Sequence, residues 1–403
     1  MTGPADPASG ATPAAPSSAP RGFRVAAPVA LLVLLSLGLV WRLRRFADVA
    51  ALSLGPDATR VYESALTMRH LYDTGVREPL WPWLARVALW LDPAPTSLRW
   101  LSLTASVALI ALGYRFGRDY TGRPLVGVGV AAVLAVHWPL IQICADAHRT
   151  ELLALALLAV TYCVLVPGLA PARRWIGLTG STAAALLTSL ALVIPVAPLV
   201  AWAAWRHRIG WRALGLVAGI TAALVTPHLV HNARTFGHPL HFHARLLGTF
   251  YRNHEFVRIR QTGCATCPTR AEMEAAGSGL IGPKVGLWEY VVGMHSAREV
   301  VKRLWDGYAQ VFWRRGGLSG WYWHGLYAGP PDRGWDILYY TGVAWLLVGP
   351  YRLVAVVPLL GLNGLAFLIP LGVDQRLVMP LAPYAAFAVT LPAADLLERG
   401  LWR

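Results

Sequence analysis

Residues 124–143 read PLVGVGVAAVLAVHWPLIQI, twenty positions without a charged side chain. A helix needs about twenty mostly apolar residues to cross the hydrocarbon of a bilayer, so this stretch points to a transmembrane helix. Working outward from it, comparable runs cover 25–41, 98–114, 150–167, 175–189, 191–205, 213–231, 337–349, 353–371 and 377–394. Ile194-Pro195 and Pro198 argue for a hairpin in 175–205, because proline interrupts a helix. The expected fold class is therefore all-α, a polytopic transmembrane helical bundle of about ten spans.

Composition agrees. Only 14% of the residues are charged, against about a quarter in soluble chains, too few to coat a water-facing surface; mean hydropathy is +0.47. The net charge is +15 and rests on arginine, with Lys284 and Lys302 the only lysines. These arginines are scattered between apolar runs and form no stripe, which argues against nucleic acid as a partner. Their arrangement suits a topogenic role instead. With the N-terminus inside, the short cytoplasmic connections hold Arg115, Arg118 and Arg123, then Arg173 and Arg174, then Arg206, Arg208 and Arg212, then Arg352. The Arg42, Arg44 and Arg45 cluster runs against this pattern.

Residues 1–24 are expected to form a disordered cytoplasmic tail and 396–403 a second one, flanking a membrane domain over 25–395. The orientation puts two long segments outside, 42–97 and 232–336. The first carries two amphipathic helices, one with Val61, Ala65, Met68 and Tyr72 on a face. The other is striped by Leu80, Trp83, Leu84, Val87 and Leu91, and both are expected to lie in the membrane interface.

Ionisable residues at a membrane mouth are candidate functional groups. Asp57 opens the first amphipathic helix, either as an N-cap or as a general base. Cys144-Ala145-Asp146-Ala147-His148-Arg149-Thr150-Glu151 is a dense polar cluster between two apolar runs, either a polar turn or a site. Asp374-Gln375-Arg376 precedes the last span, where Arg376 is either a solvated turn residue or a phosphate ligand. Cys264 and Cys267, outside the cytoplasm, read as a disulfide; zinc is the lesser option, with His228, His231, His238, His241, His243 and His254 upstream. P-loop, HExxH and GxSxG motifs are absent.

Taken in order, five local patterns resemble the GT-C class of polytopic glycosyltransferases, which includes protein mannosyltransferases and the aminoarabinose transferase of lipid A. An early acidic residue leads into a Pro-rich aromatic helix, here Asp57 to Leu91 with Glu78-Pro79-Leu80-Trp81-Pro82-Trp83. A Gly-Arg-rich turn, 114–123, follows the second span, and Arg149-Thr150-Glu151 opens the fourth. Pro227, His231-Asn232 and Phe236-Gly237-His238-Pro239 resemble the element beyond the seventh span, with His231 where the class has Arg; Arg376, Pro380 and Pro383 resemble the opening of the last span.

The resemblance implies transfer of a hexose or pentose, with inversion, from a polyprenyl-phosphate-type donor to an envelope glycan, lipid or protein. Asp57 would be the base, with Asp146 or Glu151 assisting. Arg376, Arg149, Arg234, Glu78 and Asn232 would bind substrate or phosphate, and Arg252 and Arg258 are further phosphate candidates. It names no required cofactor and leaves a divalent metal open. It places the site on the outer face of a bacterial plasma membrane, among membrane lipids as partners. A transporter or flippase for lipid-linked sugars is the alternative; a non-catalytic scaffold is a third.

Overall fold

The computed structural model describes residues 21–74, 78–207, 210–236, 333–356 and 379–401, with a few single positions between 239 and 305. The chain is mostly helical, and no strand occurs among the described residues. The helices are α1 (Arg21–Val49), α2 (Pro56–Thr67), α3 (Leu80–Leu91), α4 (Thr96–Thr121), α5 (Pro124–Val136), α6 (Trp138–Ala145), α7 (Thr150–Leu165), α8 (Pro171–Thr188), α9 (Val193–Arg206), α10 (Trp211–Phe236), α11 (Arg333–Val348), α12 (Arg352–Val356) and α13 (Ala382–Leu401).

Four of them are long and apolar enough to cross a membrane, or five when α5 and α6 count as one span. Two expectations change at this level. The 124–143 stretch is not one straight helix: α5 and α6 meet at 53° across His137. Pro139 follows the break and has no N–H to continue the ladder. And the first helix starts at Arg21 and runs to Val49, so Arg42 lies within it instead of opening a loop. The 175–205 stretch is split at Ser189 and the short 3-10 turn Leu190–Leu192, where the two expected runs part, although Pro195 and Pro198, which argued for the break, sit within α9. Most of the 353–371 run lies outside the described residues.

α1 and α4 run in opposite directions and α4, α7 and α13 in the same one, as their end contacts demonstrate. At one end α1 meets the start of α4, where Arg99 donates to Ala50 O (3.2 Å) and Leu52 O (2.8 Å). At the other end Arg123 pairs with Asp395 (2.6 Å) and Glu398 (2.8 Å) of α13, and Tyr162 donates to Asp119 (2.7 Å). The arginines at 115–123, 173–174, 206 and 352 gather at this second end. They are not idle there: buried Arg174 donates to Cys163 O (3.0 Å), Val164 O (3.2 Å) and Val166 O (2.9 Å), capping the last turn of α7.

Beyond the end of α9, His207 sits 2.7 Å from that guanidinium and 2.9 Å from Val164 O. Burial holds its imidazole below the ordinary value of 6.5; the Val164 carbonyl opposes this, and the Arg174 and Arg206 charges reinforce it. The unfolded chain thus binds the extra proton first as pH falls. Stability is highest above 6.5 and drops as pH falls through that value toward the depressed one. Thermal unfolding of the purified protein between about pH 5 and 8 should show this slope, weakened in His207→Gln; equal slopes would refute it.

The core lies between α4, α5, α7 and α13, and glycine lets the helices meet closely. A Cβ on Gly127 would stand 2.6 Å from Tyr114 O and 3.0 Å from Arg118 Cβ, so α4 and α5 touch backbone to backbone. Such contacts are how apolar helices associate when lipid, not water, surrounds them.

Candidate functional site

At the α1–α4 junction end, α2 and α3 form a helical hairpin packed on the bundle. Ala58, Val61 and Ala65 of α2 bury against Trp81, Ala85 and Leu89 of α3, with Leu98 and Ala147 beneath. The expected α2 face is present through Ala65; Met68 and Tyr72 lie past the helix end. On α3 the stripe differs from expectation. The buried face is Trp81, Ala85 and Leu89, and Val87 and Leu91 of the expected stripe point outward with Trp90. An all-round apolar helix leaves this choice to its tertiary partner.

Asp57 is not the N-cap of α2; Gly55 is, with Pro56 at the first position and Asp57 at the second. It lies in the first turn of α2. It remains 32% exposed, and its Oδ2 lies 3.8 Å from Nε2 of His148. His148 belongs to the turn between α6 and α7. Its Nδ1 is 2.9 Å from Thr150 Oγ1, and its carbonyl accepts from Ser102 of α4 at 3.0 Å. Ser102 also lies 3.3 Å from Glu151 Oε2.

The same turn carries Arg149, which pairs with Glu78 immediately before α3 and donates to Thr188 O at the end of α8 (2.8 Å). One guanidinium therefore ties the α2–α3 hairpin, the α6–α7 turn and α8 together. Ala147, in the middle of the turn, has φ 57°, the only non-glycine in the left-handed region among the described residues. Such a conformation costs of order 1 kcal/mol or more and persists only where its surroundings impose it.

Removing both Glu78 and Arg149 should destabilise less than the sum of removing each. Glu78→Gln, Arg149→Met and the double variant, followed by thermal unfolding, should yield a coupling of about 0.5–3 kcal/mol. Strict additivity would mean that the pair contributes nothing.

The structure thus brings Asp57, Glu78 and Arg149 to one place. Asp146 ends α6 beside them and lies within electrostatic reach of Arg99. Glu151 is fully buried beneath the turn, so it does not open onto the surface that Asp57 shares. Asn232 and His228 are buried on α10, 3.2 Å apart, and Tyr72 donates to Leu224 O of the same helix (2.9 Å), which brings α10 to this end. Arg234 is exposed near the α10 terminus. Arg376, Arg252, Arg258, Cys264, Cys267 and the histidines from 238 to 254 lie outside the described residues. Sequence reasoning missed Ser102, which looked like one more small residue in an apolar run. It also left His148 without a partner.

Among the described residues no group of three or more His, Cys, Asp and Glu side chains is arranged to hold a metal ion. Cys144 and Cys163 are buried free thiols. No family model, curated protein or solved structure matches this chain, so the reading of the site rests on its own geometry.

Proposed function

We propose that the chain is a multi-pass membrane glycosyltransferase that moves a sugar from a polyprenyl-phosphate-type donor to an acceptor outside the cytoplasm. The observation that carries the reading is the partly exposed Asp57 carboxylate beside His148 and the Glu78–Arg149 pair, all at one end of an apolar helical bundle. Such an end suits a donor whose tail dissolves among helices while its sugar-phosphate head meets water. About ten spans, with the basic ends inside, are part of the same reading. Arg115, Arg118, Arg123, Arg173 and Arg206 lie at the end opposite Asp57, as the positive-inside rule favours. The outward Val87, Trp90 and Leu91 of α3 suit a helix lying in the lipid interface of a bacterial plasma membrane.

In the proposed reaction Asp57 takes the proton of an acceptor hydroxyl as its oxygen attacks the anomeric carbon. The new C–O bond forms as the bond from that carbon to the phosphate oxygen breaks, with inversion. The electron pair leaves with the phosphate, whose growing charge Arg149 and Arg376 would balance. Asp146 remains proposed to assist the base, and Arg234 and Asn232 remain proposed contacts to substrate or phosphate.

A flippase for lipid-linked sugars is the second reading. The 53° break between α5 and α6 favours it, because interrupted helices recur in transporters. Purified protein in liposomes, given radiolabelled polyprenyl-phosphate sugars and envelope acceptors, separates the two. Transfer is the expected result; translocation without transfer selects the flippase, and neither activity overturns both.

A further inference from the structure

We propose that Arg42 is a positioning residue, a clamp that replaces the backbone donor missing at Pro139 and so holds the α6–α7 turn that carries His148 and Arg149. The sequence alone makes Arg42 a loop-edge charge, yet it is fully buried in the described structure. Its guanidinium donates to Leu134 O (3.1 Å), Ala135 O (2.9 Å) and Gly38 O (3.0 Å), and its Nε to Ser106 Oγ of α4 (2.8 Å).

Two of those acceptors are the carbonyls that the α5–α6 break orphans. In an unbroken helix Ala135 O takes the N–H of residue 139, and that residue is Pro139. Leu134 O takes the N–H of Trp138, which lies beyond the 53° bend. Leu140 N–H, the next donor, turns to the His137 ring (3.4 Å). A buried carbonyl without a donor is costly, so some group must fill the gap. Arg42 reaches both from α1, and Gly38 makes room for it: a Cβ there would stand 2.8 Å from Ile110 Cδ1 and 3.3 Å from the Arg42 guanidinium.

The clamp acts on the site because α6 is only eight residues long and leads directly into the strained Ala147 turn. On the far side Glu151, fully buried with Oε1 lacking a hydrogen-bond partner, lies within electrostatic reach of Arg42. Ser102 and Ser106, one turn apart on α4, connect the two: Ser106 accepts from Arg42, and Ser102 meets Glu151 and the His148 carbonyl. Glu151 is thus assigned to support this turn from below, not to touch substrate.

The effect on transfer rests on the glycosyltransferase reading, whereas the clamp itself does not. Cys144, in α6 and 1% exposed, reports on it directly. Alkylation of Cys144 in the full-length protein is followed by peptide-resolved mass spectrometry, in wild type, Arg42→Met and Arg42→Lys. Each is made with Pro139 present and with Pro139→Ala, which restores the N–H for Ala135 O. Arg42→Met should raise the Cys144 rate about tenfold or more, as expected on losing a charged hydrogen-bond donor. Arg42→Lys should be milder, and Pro139→Ala should suppress much of either rise. Should Arg42→Met fail to fold, the lysine pair decides.

No rise, or an equal rise in both backgrounds, overturns the clamp. In the transfer assay Arg42→Lys should lower kcat with the donor KM little changed, and Pro139→Ala should partly restore it. Absence of transfer in the wild type would defeat the glycosyltransferase reading while leaving the Cys144 result to decide the clamp.

Discussion

Asp57→Asn is expected to lower kcat for sugar transfer by about 10²- to 10⁴-fold, the usual contribution of a positioned general base. The amide keeps the shape of the carboxylate but cannot take the acceptor proton. Folding should hardly notice. Gly55, not Asp57, occupies the N-cap position of α2. Loss of one negative charge from a first helical turn costs about 0.3–1 kcal/mol. Membrane levels should match the wild type, and binding of a labelled polyprenyl-phosphate donor should persist. An Asn variant with full transfer activity would remove Asp57 from the mechanism. A variant missing from the membrane would show that the residue is structural after all.

Gly127→Val should have a large effect on folding. The added Cβ would stand 2.6 Å from Tyr114 O and 3.2 Å from Arg118 N, both backbone atoms that cannot swing aside. Gly117 faces it from α4, where a Cβ would meet Gly127 Cα at 3.0 Å. The α4–α5 seam would have to open along its length, and overpacking of this kind costs about 3 kcal/mol or more when backbone must move. Gly215 of α10 is the control, since a Cβ there meets nothing within 4 Å. Its valine variant should stay within roughly 0.5 kcal/mol of wild type. Thermal unfolding and the monodisperse yield in detergent compare the two; equal behaviour would mean that the close approach at Gly127 carries no weight.

These two positions illustrate what the sequence discloses. Apolar length is a local property, so α1, α4, α10 and α13 could be read from hydropathy alone. The break at His137 could not, because His137, Trp138 and Pro139 sit in an otherwise continuous apolar run. Proline is a poor guide by itself: Pro28, Pro198, Pro227 and Pro392 all lie inside helices. Its effect depends on whether neighbours satisfy the freed carbonyl, which is tertiary information.

The candidate site divides in the same way. The polar 144–151 run stood out against its apolar flanks, and Asp57 stood out at a helix start. Their meeting could not be read, since Asp57 and His148 are brought together only by the packing of α2 on Leu98 and Ala147. Glu78 and Arg149 are 71 positions apart. Arg42 misled because arginines near span ends usually mark topology, and only the bundle interior reveals what this one bonds.

That interior arginine bears on how the protein is made. Arg42 lies on α1, whereas Ser106, Leu134 and Ala135, three of its acceptors, belong to α4 and α5, which are synthesised later. Under the membrane reading, a guanidinium held at depth without partners is costly, and a long side chain near a helix end relieves that by reaching for the headgroups. The first helix therefore enters the bilayer in a provisional position. It settles only when α4 and α5 have arrived to accept its hydrogen bonds, so a span made earlier waits on two made later for its final depth.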